Sequence, residues 1–417
     1  MVKLLMQSGT IKGTTHPGGS KSITNRVLIM RGLAGADMPI FNASTSEDTV
    51  VLKQLLQEHP AEWHVGDAGT AARFSAAYLA SRCGRETLLR GSGRMNQRPM
   101  KPLLDALRLL GAEITCLEKE GFLPVRINGK KLQGGTVKLP ADISSQFISA
   151  LAMVAPYGEA DLTMEFERVP LSKPYLDMTL HLLGSFFISF SENYTPEGGY
   201  ELTVHRGTPV LPAEYHVEPD WSSASYWYSA AALADTAEVE LEGFSEESIQ
   251  GDALVASLFE ALGVSTRYTE TGILIRKTGT PESDYFEFDF SDYPDLVPAF
   301  AVTLPLLGIE AHLSGLETLR YKESDRVAVL RQNLQALGIE AQTEENDSVL
   351  HILPATRNQL NPDALIESAG DHRMVMGFTS AVLKTGRLTL SSGTEVKKSY
   401  PGFWQDVQSL YKGIQLS

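Results

Sequence analysis

Eight basic side chains stand beside small-residue turns along this chain: Lys21, Arg26, Arg73, Arg98, Lys322, Arg326, Arg373 and Lys398. Three carboxylates share those turns: Asp295 after Tyr293-Pro294, Glu323 between Lys322 and Arg326, and Asp371 before His372-Arg373. Cations hold anions and carboxylates move protons. The combination suits acid–base chemistry on a substrate with several negative charges, such as phosphates or carboxylates. Taken one at a time, each cation also reads as a surface charge, Asp295 as a helix N-cap, and Glu323 as a first-turn partner of a helix dipole. Neighbouring cations would lower the carboxyl pKa values, and burial would raise them. Other chemistries lack their residues. No G-x-S-x-G elbow marks a nucleophile, and no two histidines have metal-ligand spacing on a helix, so no metal is expected. His372 reads as structural or as a phosphate neighbour rather than as a base.

The first of these turns opens the stretch Gly18–Ala34, GGSKSITNRVLIMRGLA. A Gly-rich turn ahead of a helix leaves backbone N–H groups at the helix's positive end, a ready anion site. Lys21 and Arg26 add two cations there. The hydroxyls of Ser20 and Ser22 can cap the helix or donate to an oxyanion. The plainer reading is a capped, buried helix with two solvated cations. The stretch is not a Walker A loop, whose G-x-x-x-x-G-K-[ST] spacing is missing.

Elements must bring these residues together. Six segments open on small or polar residues and run into an Ala-rich apolar stretch, near Ser22, Gly69, Ser144, Ser222, Asp295 and His372. Apolar nearly all round, each predicts a buried helix, and the openings carry cap residues. Between them lie six amphipathic segments, from Glu47, Pro99, Pro174, Glu247, Glu323 and Pro401. Four of these end in Leu-Gly, at Gly111, Gly184, Gly263 and Gly338, where the glycine can form a helix C-cap. Short β-prone runs follow them: AEITCLE, SFFISF, VSTRYT and IEAQTE. Strand, buried helix, strand, amphipathic helix and further strands thus recur six times, which predicts repeats divided three and three. The Pro-bearing stretch Val210–Asp220 marks one boundary, and Gly13–Gly19 a second crossing. One domain is therefore expected to be discontinuous, residues 1–14 plus 218–417, with residues 15–217 inserted. Buried helices sharing a direction would aim their positive ends at one surface of each domain, with the active site in the cleft between them.

The 417 residues, 43% of them hydrophobic, suffice for two domains with cores. A formal net charge of −15 argues against nucleic acid or an anionic membrane as partner, so any anion site must be a local cluster. Cys83 and Cys116 are far apart and form no metal or redox motif, which fits a reducing compartment. The apolar run at the N-terminus is too short for a signal peptide, and no run of about 20 apolar residues is present to span a membrane.

The chain resembles the 5-enolpyruvylshikimate-3-phosphate synthase family. The matching motifs are GSKSITNR (Gly19 to Arg26), DAGTAAR (Asp67 to Arg73), GRMNQRP (Gly93 to Pro99), SSQF (Ser144 to Phe147), SKPY (Ser172 to Tyr175) and DWSSASY (Asp220 to Tyr226). They continue with YPD (Tyr293 to Asp295), KESDR (Lys322 to Arg326), DHRM (Asp371 to Met374) and KKSYPGFW (Lys397 to Trp404), in the family's order and over nearly the whole chain. The resemblance implies an α/β fold, a two-domain inside-out α/β barrel with three βαβαββ units per domain around buried parallel helices. It implies a cofactor-free, cytoplasmic, monomeric enzyme of aromatic amino acid biosynthesis. In the implied reaction the 5-hydroxyl of shikimate 3-phosphate attacks C2 of phosphoenolpyruvate while C3 gains a proton, and the tetrahedral intermediate expels phosphate.

Carried over by motif, Lys21, Ser22, Arg26, Ser144, Ser145, Gln146, Ser172, Tyr175, Asp295 and Lys322 hold shikimate 3-phosphate. Lys21, Gly69, Arg98, Gln146, Arg326, Arg373 and Lys398 hold phosphoenolpyruvate. Asp295 is the implied base on the 5-hydroxyl and Glu323 the implied donor to C3, with Lys21 sharing the proton transfers. Gly69 also marks members inhibited by glyphosate, a competitor of phosphoenolpyruvate. Several positions depart from the family pattern: an extra glycine in Pro17-Gly18-Gly19, Asp67 for Asn, Ala72 for Met, Phe74 for Pro, and Thr318 for a substrate-binding Asn. The stretch between Asp48 and Asp67 is short, so the first unit is expected to lack a hairpin. Two rivals remain. The UDP-N-acetylglucosamine enolpyruvyl transferases place a Cys where this chain has Gly93. A non-catalytic anion-binding protein would not need both Asp295 and Glu323.

Overall fold

The computed structural model describes residues 1–417, the side chain of Glu345 excepted. The chain folds into two compact units, one of residues 1–19 and 218–417, the other of residues 20–217. The first crossing follows Gly19 and the second follows Val217. The N-terminal strands Val2–Met6 and Thr10–Thr15 explain the discontinuity. Each joins a sheet of the C-terminal half, Val2–Met6 between Arg387–Leu390 and Ile414–Leu416, and Thr10–Thr15 parallel to Thr236–Glu242.

Three helices form the centre of each unit. In residues 20–217 they are Lys21–Ala34, Gly69–Ala80 and Ser145–Val154, each packed on the other two. In the other unit they are Trp221–Leu233, Val297–Leu306 and His372–Thr379, packed in the same way. Small residues let the backbones approach, and the hydroxyls among them bond one another. Ser229 Oγ lies 2.6 Å from Thr303 Oγ1 and 2.8 Å from Ser380 Oγ. Ser20, Ser144, Asp220 and Asp371 cap four of the six helices with their side chains, as their residue types predict.

Around each trio lie sheets of one repeated topology. Five of the six are four-stranded: a parallel pair extended by antiparallel strands, as in Glu62–His64, Glu86–Arg90, Val125–Asn128 and Glu113–Cys116. Strand Thr236–Glu242 alternates buried and exposed residues, so one face lies on the helices and one on solvent. The sixth sheet has only its parallel pair, Ile40–Phe41 with Tyr215–His216. This is where the short first unit was expected to lack a hairpin.

Three local expectations need correction. The segment from Glu247 begins only as a 3-10 turn at Gly251–Leu254 and a short helix at Val255–Glu260. SFFISF is not a strand, because the helix Lys173–Ser185 takes its first residue and the strand begins at Phe190. Gly184 is no C-cap. Gly111, Gly263 and Gly338 take positive φ after their helices, but here the left-handed residue is Phe187, with φ of 62°. Its N–H bonds Gly184 O, and Ile188 N bonds Leu183 O, the two bonds of a Schellman ending. Phe187 is 78% exposed, so little packing would be lost with its ring. Removing the left-handed penalty, less glycine's extra unfolded-state entropy, gives Phe187→Gly an expected net stabilisation of about 0.5–1 kcal/mol. Calorimetric Tm checks this, and a lowered Tm would mean that the ring packs on something in solution.

Candidate active site

In the unit of residues 20–217, the capped turn holds Lys21 at the first helical position, with Nζ 3.5 Å from Asp48 Oδ2. Arg26 lies one turn further on, inside the core rather than in solvent. Its Nε donates to Thr179 Oγ1 at 2.7 Å, Nη1 to Ser22 O at 2.9 Å, and Nη2 to Ser149 Oγ at 3.2 Å and Tyr175 O at 2.9 Å. Its Cζ lies 5.4 Å above the Phe74 ring. Burial lowers its pKa to about 10, against the field of Tyr175. Four of a guanidinium's five N–H groups are thus engaged by protein atoms. The remaining one is what Arg26 can offer a ligand. The plain reading of two solvated cations fails for both residues.

A second group in this unit surrounds the DAGTAAR turn. Gly69 opens its helix at a φ that any residue can adopt, so the turn does not require glycine for its backbone. Space requires it. A Cβ built on Gly69 would lie 2.6 Å from Arg73 Nη1 and 2.6 Å from Arg98 Nη1. Gln146 reaches the same turn, donating from Nε2 to Thr70 Oγ1 at 3.1 Å. Ser144 accepts from Gln146 N, and Ser145 is buried in the first turn of that helix. Ser172 is buried at a left-handed φ of 58° ahead of the helix that carries Tyr175. Asp67 accepts from the Ser92 hydroxyl.

The other unit joins most of its predicted residues in one bonded network centred on Arg326, which is 1% exposed. Arg326 donates from Nε to Asp371 Oδ2 at 2.8 Å, from Nη1 to Asp295 Oδ1 at 2.9 Å and from Nη2 to Glu323 Oε2 at 2.8 Å. Arg373 donates from Nη2 to Asp295 Oδ2 at 2.6 Å and from Nη1 to Tyr226 Oη at 3.3 Å. Lys322 Nζ lies 3.8 Å from Asp295 Oδ1. Lys398 Nζ bonds Gly370 O at 3.0 Å, next to Asp371. Asp295 is not a helix N-cap, because its helix starts at Val297 after Leu296. Glu323 precedes its helix, which Asp325 caps. Neither carboxylate caps a helix, and ion pairs with Arg326 and Arg373 hold them instead.

Charge follows from this geometry. Burial pushes the Asp295 carboxyl up, but Arg373, Lys322 and Arg326 outweigh it and hold it well below the usual carboxylate range. Asp371, fully buried, is also lowered, with Arg326 opposing burial. Burial lowers Lys322 against the pull of Asp295. Burial likewise drives Tyr226 up to about 12, against Arg373.

Asp371 is the residue whose role sequence reasoning left open. It caps the helix His372–Thr379, accepts from Ser324 Oγ at 3.2 Å, and anchors the Nε edge of Arg326. Its place before a buried apolar helix was the available signal. The partners of Arg26, namely Ser149 and Thr179, carried no signal at all. His372 is buried beside Asp371, away from any role as a solvent-facing base. Among the described residues no group of three or more His, Cys, Asp or Glu is placed to hold a metal, and no helix is long and apolar enough to cross a membrane.

The family model described as EPSP synthase (3-phosphoshikimate 1-carboxyvinyltransferase) matches residues 51–407. A 3-phosphoshikimate 1-carboxyvinyltransferase of Bacteroides fragilis (strain YCH46) is 39% identical over 418 aligned positions, which cover 99% of this chain and 98% of the relative. One of Photobacterium profundum is 32% identical, covering 96% of each. Among solved structures, an EPSP synthase from Acinetobacter baumannii superposes with a TM-score of 0.76 at 22% identity, over the whole of both chains. The enolpyruvyl transferase NikO from Streptomyces tendae superposes with a TM-score of 0.74 at 16% identity, over 100% of this chain and 98% of the other. At such identities these two superpositions speak for the two-domain fold alone.

Proposed function

This chain belongs to the EPSP synthase (3-phosphoshikimate 1-carboxyvinyltransferase) family, and from that premise we infer how its two groups of side chains carry the family's reaction. The enzyme transfers the enolpyruvyl group of phosphoenolpyruvate to the 5-hydroxyl of shikimate 3-phosphate and releases phosphate. We assign both groups to one reaction because neither unit alone holds all the required cations and bases. Lys21, Ser22, Arg26, Ser144, Ser145, Gln146, Ser172, Tyr175, Asp295 and Lys322 would hold shikimate 3-phosphate. Lys21, Gly69, Arg98, Gln146, Arg326, Arg373 and Lys398 would hold phosphoenolpyruvate.

The observation that carries this reading is the Asp295 carboxylate shared by Arg326 and Arg373 with Lys322 beside it. Such a carboxylate is a weak base while those cations hold it. An arriving phosphoenolpyruvate brings its own negative charge to Arg326 and Arg373. The cations then hold Asp295 less strongly, and its pKa rises toward that of a working base. Asp295 takes the proton from the 5-hydroxyl as its oxygen attacks C2. Glu323, taking a proton from solvent once phosphoenolpyruvate loosens its pairing with Arg326, delivers it to C3; when the tetrahedral intermediate collapses Glu323 takes a C3 proton back and the proton on Asp295 passes to the departing phosphate, with Lys21 sharing the charge. The proposal includes a cytoplasmic monomer, supported by two free cysteines and by both groups lying on one chain.

A coupled assay for phosphate release tests the reaction. Phosphate should appear with phosphoenolpyruvate and shikimate 3-phosphate, and not with UDP-N-acetylglucosamine as acceptor. Release with the sugar nucleotide alone would favour the rival transferase, and none with either acceptor would favour an anion-binding protein. Glyphosate should inhibit the wild type. In Gly69→Ala the methyl presses on Arg73 and Arg98 as well as on the ligand's space. Overpacking of about 1–3 kcal/mol should weaken the inhibitor roughly 5- to 150-fold. Glyphosate is the longer of the two molecules, so phosphoenolpyruvate should lose less and the ratio of Ki to KM should rise. An unchanged ratio would remove the length argument.

A further inference from the structure

We propose that Lys173 and Glu192 are positioning residues for shikimate 3-phosphate, acting through Ser172. This rests on the functional reading above, which assigns Ser172 and Tyr175 to that substrate and gives Lys173 and Glu192 no role. Ser172 is buried, at 5% exposure, and stands at a left-handed φ of 58°. That region costs any residue but glycine, and a side chain stays in it only where the surroundings enforce it. Its own helix does not enforce it, since the Ser172 side chain makes no cap bond to Lys173–Ser185.

The two neighbours of Ser172 do. On one side Leu171 N donates to Ala141 O at 3.1 Å. On the other, Lys173 Nζ reaches Glu192 Oε1 at 2.8 Å and also pairs with Asp177. The two pairs differ in consequence. Asp177 lies one turn along the same helix, half exposed, and cannot fix that helix against anything else. Glu192 lies on the strand Phe190–Tyr194, which pairs with Tyr200–Val204. Glu192 is itself held, because Tyr200 Oη donates to the same Oε1 at 2.5 Å, and Lys173 Nζ lies 5.5 Å over the Tyr200 ring. The side chains of Lys173 and Glu192 are 14% and 27% exposed, so solvent screens the pair little. Burial would lower the pKa of the Lys173 ammonium, but Asp177 and Glu192 outweigh it and raise it. The ammonium thus ties the first residue of the helix to the sheet. With Leu171 and Lys173 both fixed, Ser172 must join them left-handed. Tyr175 has a separate anchor, its carbonyl accepting from Arg26 Nη2 at 2.9 Å, so the loss of Lys173 falls on Ser172.

The test is calorimetric binding of shikimate 3-phosphate to Lys173→Met, Lys173→Arg and Glu192→Gln, with kcat, both KM values and Tm for each. Lys173→Met should weaken that binding about 5- to 30-fold, the factor by which a released Ser172 would leave the left-handed state. The KM for phosphoenolpyruvate, measured with shikimate 3-phosphate saturating, should stay within about twofold of wild type. Lys173→Arg keeps both pairs and should recover most of the affinity. Glu192→Gln keeps an acceptor but not the charge. It should weaken binding by less than Lys173→Met, and the double variant should bind no worse than Lys173→Met alone. Glu192→Gln carries the test even where Lys173→Met does not fold. Unchanged binding in either folded variant overturns the proposal, and so do additive losses in the double variant. A parallel rise of both KM values with a fall in Tm also overturns it, because a merely structural pair would act that way. A wild type that neither binds shikimate 3-phosphate nor releases phosphate overturns the functional reading and this proposal with it. A wild type that binds it no better than Lys173→Met overturns this proposal alone.

Discussion

Asp295→Asn should lower kcat by about 10²–10⁴-fold, the usual scale for losing a general acid or base. Asparagine keeps the size of the side chain and one acceptor for the arginines, so the loss isolates the proton-transfer role from packing. Binding should move the other way. If Arg326 and Arg373, which now hold this carboxylate, receive phosphoenolpyruvate as proposed, the neutral isostere should bind that substrate as well as wild type or better. Glu323→Gln should lower kcat over the same range and leave the affinity for shikimate 3-phosphate far less affected. Steady-state kinetics with calorimetric binding constants would decide. Near-wild-type turnover in either variant rules out the assigned role, and weaker phosphoenolpyruvate binding in Asp295→Asn rules out that reception by Arg326 and Arg373.

Arg326→Met should be among the most destabilising single changes in the C-terminal unit. The guanidinium serves three carboxylates, and one of them, Asp371, has no solvent exposure. Removing one partner of a buried ion pair leaves a charge uncompensated, at a cost of about 3–5 kcal/mol. The pH dependence has a definite sign. In the wild type, Asp295 and Asp371 have folded-state pKa values below their unfolded ones. Their stabilising contribution is fully present above the unfolded value of about 4 and is lost as pH falls through the folded values. Without Arg326, burial should instead raise Asp371 above its unfolded value. The variant then gains relative stability as it acidifies through that raised pKa. Calorimetric Tm measured from about pH 8 down to pH 5 should show the deficit of Arg326→Met shrinking toward the acid end. A deficit that is constant across the range would mean that the buried carboxylate finds another cation.

Much of the backbone was legible because its signals are local. Ser20, Ser144 and Asp371 stand where a helix needs an acceptor for its first N–H groups, and the Ala-rich runs behind them have no polar face to show solvent. Repetition of that pattern made the six central helices readable, and ordered motifs made the family readable. Legibility failed where two local signals competed. At Leu183-Gly184 the glycine predicts a stop, yet the helix runs on to Ser185 and Phe187 takes the left-handed turn. SFFISF has strand composition, but its opening serine completes that same helix.

What the sequence by itself determined, then, is the set of central helices, most of their starting points and the chemical types available near them. Which side chains meet was decided by the tertiary structure. Arg26 looks like a partner of the turn before it, but it bonds Ser149 and Thr179, 123 and 153 residues away. Asp295 looks like an N-cap, but two arginines from later turns take its oxygens before its own helix can. Arg73 and Arg98 look like separate surface charges, and only the missing side chain of Gly69 lets them share one point. A cap depends on residues a few positions apart and on one hydrogen bond. An ion pair or an anion seat depends on where three chain segments stop in space, and packing of the central helices sets those positions, so they can be read only from the folded chain.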